Sequence, residues 1–178
     1  MVSKCHNTIQ SGFSLIEVLV SLLVLSIGLL GLGGLQLSSI KGANNAHLRT
    51  VASLAVTSLI DRMRVNTKGV EDNYYAAVLT MSHCETALTK SCEATNECTA
   101  KELADYDLHR VNCGVSSGVY QTGGVQYDLP DSTLSIACAT PPCTSGMEHL
   151  VRISWEETDD DDAGSETQSR SYELSFIP

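Results

Sequence analysis

Hydrophobic positions fall along this chain in three regimes. From Phe13 to Leu37 they are almost continuous, and Val18 to Leu35 is an 18-residue run without a charge. From Ser38 to Asn66 they recur every three or four residues, at Leu48, Val51, Ala55, Leu59 and Met63, with Arg49, Ser53 and Arg64 off that stripe. This is the period of an amphipathic helix. Towards the C-terminus they alternate: Leu134, Ile136 and Cys138 share one strand face, as do Val151, Ile153 and Trp155, and then Tyr172, Leu174 and Phe176. Alternation of this kind predicts strands, and residues 119–129 offer further strand. The segment between, 69–118, reads as loop-rich, with a short helix over Thr99 to Arg110 that turns Leu103, Tyr106 and Leu108 inward.

These regimes predict an α+β fold in which one long N-terminal helix, residues 13 to about 66, packs its outer half on a small antiparallel sheet. At about 1.5 Å per residue, its first 25 residues would extend about 37 Å, enough to cross a hydrocarbon core of about 30 Å. A helix of about 80 Å cannot be buried in a body of this size, so lipid or other helices must cover its first half. Glycines 28, 31, 33 and 34 lie inside that half, each costing about 1 kcal/mol relative to alanine. They suit either close packing of a second helix, for which Gly34 and Ser38 are suitably spaced, or local unwinding.

Charge divides the chain further. The net charge of −10 over 178 residues separates into +4 over residues 38–68 and −14 over residues 69–178. An acidic body repels phosphate backbones, so no nucleic-acid partner is expected. Seven cysteines and no CxxC pair speak against zinc ribbons and thioredoxin-like chemistry and for disulfides. Cys84, Cys92, Cys98, Cys113, Cys138 and Cys143 are the candidates. The Pro141-Pro142 turn suggests a local bridge between Cys138 and Cys143, while the connectivity as a whole stays open. Asp159 to Asp162, in an acidic loop over Thr158 to Gln168, lack the spaced ligands and glycine of a calcium loop. They read as a solvated hairpin loop, and no metal site is assigned.

Catalysis would require a base, a nucleophile and an orienting group together. No GxSxG, HExxH or P-loop pattern occurs, and His47, His83, His109 and His149 read as surface or packing residues. Neither an enzyme nor a cofactor is expected.

Glu17 is the only charge between Phe13 and Leu37. A carboxylate in mid-membrane costs about 2.5–3.5 kcal/mol on insertion scales, so it needs an interface or a partner. A cut after Gly12 would supply one, since Phe13 would then carry an ammonium one helical turn away, on the same chain or on a neighbour. A secretory signal would place its apolar stretch before the cleavage site, whereas here it follows Gly12.

Gly12-Phe13-Ser14-Leu15-Ile16-Glu17-Val18-Leu19-Val20 resembles the processing site and membrane helix of the type IV pilin superfamily. The resemblance implies a leader, residues 1–12, removed by a prepilin peptidase between Gly12 and Phe13, N-methylation of Phe13, and a role for Glu17 in subunit recruitment and register. Ser26 to Leu32, Leu35-Gln36-Leu37, Asp61 to Asn66, Cys98 to Leu108 and Val151 to Glu156 are further similar to minor pilins of the PilV, or type IV pilus modification protein, group. His109 and Arg110 depart from it, standing where those relatives tend to carry tryptophan. The implied organisation is a membrane-spanning, filament-core half of the helix at 13–37, an amphipathic half at 38–66 and a periplasmic, later extracellular, pilin domain at 67–178.

The function so implied is that of a minor pilin in the initiation or tip complex of a type IV pilus. Its partners would be the membrane, other minor and major pilins and a tip adhesin. It would sit in the inner membrane before assembly and on the cell surface afterwards. Loss of the leader would remove Lys4 and Cys5 and leave six cysteines to pair in an oxidising periplasm. Two alternatives share these features: a pseudopilin of a type II secretion system, and a monomeric binding protein for which the helix is only an anchor.

Overall fold

In the computed structural model, residues 12–93, 96–117, 120–138, 140–141, 143, 146–161 and 164–178 are described. Lys4, Cys5 and most of the expected leader lie outside them, as does Asp162. The chain forms two compact units, Met1–Asn44 and Asn45–Pro178.

The first unit is the apolar part of helix α1, Leu15–Val65. It is helical without a break through Gly28, Gly31, Gly33 and Gly34. None of its most apolar window is buried, and by length and composition it can cross a membrane. Phe13 is 85% exposed, and Leu15, Leu30 and Ile40 are also open.

The second unit contains the outer half of α1 and all remaining elements. After α1 come α2 (Thr67–Glu71), β1 (Ala77–Leu79), a 3-10 turn (Met81–Cys84) and α3 (Ala100–Cys113). There follow β2 (Val115–Ser117), β3 (Tyr120–Thr122), α4 (Val125–Asp128), β4 (Thr133–Cys138), β5 (His149–Asp161) and β6 (Gly164–Phe176). Four strands form an antiparallel sheet in the order β1-β4-β5-β6, and β2 and β3 pair as a separate hairpin. Leu134 faces Ile153 and Ile136 faces Val151, so the alternating apolar residues of β4 and β5 form one layer of the core. The outer half of α1 supplies the other layer through Leu48, Ala52, Val56, Leu59, Ile60 and Met63.

Several expectations change in detail. The buried stripe of α1 is rotated by about one residue from that read in the sequence: Leu48, Leu59 and Met63 are on it, but Ala52 and Val56 are central, and Val51 and Ala55 flank it. Residues 125–128 are a helical turn, because the buried pair Val125 and Leu129 has a helical spacing of four. Residues 120–122 do form a strand, but it pairs with β2 outside the main sheet. Leu174 shares the face of Val151 yet is 39% exposed, since β6 is an edge strand and has a neighbour on one side only. The expected acidic loop is instead ladder: β5 and β6 pair from His149↔Phe176 to Asp161↔Gly164.

Helix α3 begins where a capping box places it. Thr99 Oγ1 accepts from the Glu102 amide at 3.3 Å, and the Glu102 carboxylate accepts from the Thr99 amide at 2.8 Å. That backbone bond, with Lys90 beside it, holds the Glu102 carboxyl below its usual range. The helix ends at Gly114, whose φ of +73° suits glycine. A Cβ there would meet the Gly123 carbonyl, so the helix end and the β3–α4 turn approach backbone to backbone.

Three disulfides close the loops: Cys84–Cys113, Cys92–Cys98 and Cys138–Cys143, with Cα separations of 5.4, 5.9 and 5.4 Å. Cys138–Cys143 spans five residues, so replacing both cysteines by serine should cost about 2 kcal/mol on loop-closure grounds. Urea unfolding of the full chain in detergent would measure this, and an unchanged midpoint would show that the bridge contributes no stability.

Candidate assembly helix

The first turn of α1 is set by Ser14, whose carbonyl accepts the amides of Glu17 at 3.0 Å and Val18 at 3.4 Å. Ser14 and Glu17 stand at the spacing of an N-terminal capping box, a signal present in the sequence but hidden beneath the question of how Glu17 is paid for in lipid. A carboxylate in the first turn also faces the positive end of the helix dipole. The Gly12–Phe13 bond precedes the helix, and both residues are exposed, so the peptide bond at the expected cleavage position lies outside the helical hydrogen-bond ladder.

Two serines within the apolar stretch are satisfied locally. Ser21 Oγ donates to the Glu17 carbonyl and Ser26 Oγ to the Leu22 carbonyl, both at 2.7 Å, as a lipid or protein interior requires. A Cβ added at Gly28, Gly31, Gly33 or Gly34 would meet nothing within 4 Å. The fold of this chain therefore does not require these glycines, which leave the backbone open to close approach by another helix.

At its outer end, α1 is held to the head by a buried polar network. Arg62 Nη1 donates to Asp107 Oδ1 at 2.9 Å and the Tyr75 hydroxyl donates to Asp107 Oδ2 at 2.7 Å. Asn66 Nδ2 donates to the Tyr75 oxygen at 3.1 Å and to the Ala100 carbonyl at 2.8 Å, while its Oδ1 accepts the Gly69 amide. Burial, followed by the bond to Asp107, pushes the Tyr75 phenol well above its usual range, so it remains a donor. Sequence reasoning found Arg62, Asn66 and Asp107 only as parts of two separate motifs, Asp61 to Asn66 and Cys98 to Leu108, and did not single out Tyr75.

A second network holds Glu157, only 3% exposed. Trp155 Nε1 donates to its Oε1 at 3.0 Å, Arg170 Nε lies 3.3 Å from Oε2, and Arg49 Nε of α1 lies 3.9 Å from Oε1. The histidines are dispersed: His47 and His83 are exposed, while His149 is buried, bonds the Met147 carbonyl at 2.8 Å and packs on Phe176. His109 is half-buried and desolvation lowers its pKa, opposed by a bond to the Thr86 backbone. Among the described residues no group of three His, Cys, Asp or Glu side chains is placed to hold a metal ion. The arrangement is one of packing, clasping and an uncovered helix.

Comparison with known families agrees with that geometry. Residues 7–33 match the prokaryotic N-terminal methylation motif and residues 34–109 match the type IV pilin Tt1218 family. Comparison with curated proteins and with solved structures gives no significant match. The two family matches are contiguous and cover residues 7–109, more than half of the chain, including both the uncovered helix and the motif pair that forms the Arg62–Asp107 clasp. On this evidence the chain belongs to the type IV pilin superfamily, as a membrane-anchored pilin that is later assembled into a pilus or pseudopilus.

Proposed function

We propose that the chain is a minor pilin that takes part in initiating or capping a type IV pilus, and that its chemistry is assembly rather than catalysis. Prepilin peptidase cuts between Gly12 and Phe13, Phe13 is N-methylated, and Glu17 pairs with the Phe13 ammonium of a neighbouring subunit. Residues 13–37 lie first in the bilayer and then in the filament core, 38–66 carry the amphipathic half of the helix, and 67–178 form the head. Other minor pilins, major pilins and a tip adhesin are its partners. The observation that carries this reading is the wholly uncovered apolar helix with one carboxylate in its first turn. Apolar surface gains about 25 cal/mol per Å² on leaving water, so this helix is stable only when lipid or other helices cover it.

The test is intact mass and N-terminal sequencing of the chain from membrane and pilus fractions. An N-methylated Phe13 start is expected, and a Met1 start would overturn the reading. In the same preparations, Glu17→Ala should be processed normally but enter pili less well by about tenfold or more, from the loss of a charge-assisted contact. Undiminished function would point instead to a monomeric anchored protein, and recovery with secretion components rather than pili would point to a pseudopilin.

A further inference from the structure

A cleft of about 760 Å³ opens in the head between the outer half of α1 and strand β6, lined by Arg49, Thr50 and Ser53 on one side and Ser169, Arg170 and Ser171 on the other. This volume falls within the range of about 300–1,000 Å³ usual for ligand-binding clefts. Trp155 and Tyr172 complete the lining, and beside the cleft the buried Glu157 lies 3.3 Å from Arg170 and 3.9 Å from Arg49. The Arg49 side chain is 60% exposed, with its Nε 3.9 Å from Glu157. Among the described residues no acceptor is bonded to its terminal nitrogens, which form the planar fork that suits a carboxylate.

The remaining lining favours a peptide over a bare anion. Thr50 Oγ1 donates to the Ala46 carbonyl and Ser53 Oγ to the Thr50 carbonyl, each at 2.9 Å, so these hydroxyl oxygens present lone pairs to an incoming N–H. The cleft also borders the open edge of the sheet, because β6 is its terminal strand, and an edge offers main-chain groups to an extended segment. We infer that this cleft is a docking site for an extended acidic segment of a neighbouring pilin, with a carboxylate of that segment held by the free fork of Arg49. The inference rests on the pilin reading above and adds to it a site on the head, separate from the Phe13–Glu17 contact.

A photocrosslinking residue in place of Ser53, in the full chain expressed with its native membrane and pilus components, tests the site. The expected result is an adduct with another pilin, mapped by peptide mass spectrometry to a segment containing Asp or Glu. Arg49→Glu should reduce its yield about tenfold or more, the size of a lost charge-assisted contact, and Arg49→Lys should retain part of it. Urea unfolding of both variants in detergent separates a lost contact from a lost fold. An assembled subunit with a Phe13 N-terminus that gives no adduct, an adduct equally strong in Arg49→Glu, or one mapping to a segment without Asp or Glu would overturn the site while leaving the pilin reading intact. Adducts with lipid alone would overturn it likewise. So would Arg49-dependent binding of free succinate to the detergent-solubilised chain without any protein adduct. A Met1 start in the same samples would instead be a failure of the pilin reading.

Discussion

Trp155→Ala should destabilise the head by about 3–5 kcal/mol, the range for truncating a large buried aromatic. Trp155 is 2% exposed and belongs to the main core cluster. It sits in the interior strand β5, with its backbone paired opposite Arg170 of β6. Removing the indole leaves a cavity that the backbone pairing with β6 keeps from closing. It also removes the Nε1 donor at 3.0 Å from Glu157, a carboxylate out of solvent that would be left with the two arginines alone. Trp155→Phe retains most of the packing and loses the bond, so its cost should be about 1–2 kcal/mol. Urea midpoints of the full chain in detergent, followed by circular dichroism, separate these outcomes. A Trp155→Ala cost below about 1 kcal/mol would mean that the site collapses freely.

The parts of this architecture that could be read from the sequence are those in which one physical pattern persists over many residues. The uncharged run from Val18 to Leu35 is long enough that only a membrane or other helices can cover it. The alternation in β4 and β5 places Leu134, Ile136, Val151, Ile153 and Trp155 on a single face, and all five are buried. Where the pattern is short, periodicity cannot decide. Strand β1 has three residues, too few to show alternation, and exists because β4 would otherwise have an open edge at Leu134 to Ile136. Residues 125–128 show the converse, with two apolar residues four apart hidden in a stretch read as strand.

The acidic segment misled for a different reason. A run of aspartates disfavours a strand by propensity, yet pairing begun at His149 and Phe176 continues to Asp161 and Gly164, so the ladder outweighs the local preference. Of the cysteine pairs, Cys138–Cys143 was legible because the two bracket Pro141-Pro142, whereas Cys84–Cys113 was not, because the 3-10 turn and the far end of α3 bring those two together. The Gly12 to Val20 motif was legible because its pattern is local: a glycine, an aromatic residue, a helix start and one carboxylate. The Arg49–Arg170 cleft was not, since its residues come from α1 and from a strand more than a hundred positions later.

The clasp between Arg62 and Asp107 joins residues 45 positions apart, and its removal is the second large effect expected. Asp107 is buried and both its oxygens are occupied, one by Arg62 at 2.9 Å and one by the Tyr75 hydroxyl at 2.7 Å. Breaking a buried ion pair by deleting one partner costs about 3–5 kcal/mol. Arg62 is 35% exposed and can recover hydration, which places Asp107→Ala near the lower end, at about 3 kcal/mol. Most of that cost comes from Tyr75, which is fully buried and would lose the acceptor of its hydroxyl. Asp107→Asn keeps an oxygen for Tyr75 and should cost about 1–2 kcal/mol, while Arg62→Ala leaves a buried carboxylate with only Tyr75 and should cost at least as much as Asp107→Ala, about 3–4 kcal/mol. Trp155 is the only tryptophan in the chain, so its fluorescence in urea reports unfolding of the head for all three variants. An order in which Asp107→Asn is as damaging as Asp107→Ala would show that the charge on Arg62, and not the Tyr75 hydroxyl, dominates the clasp.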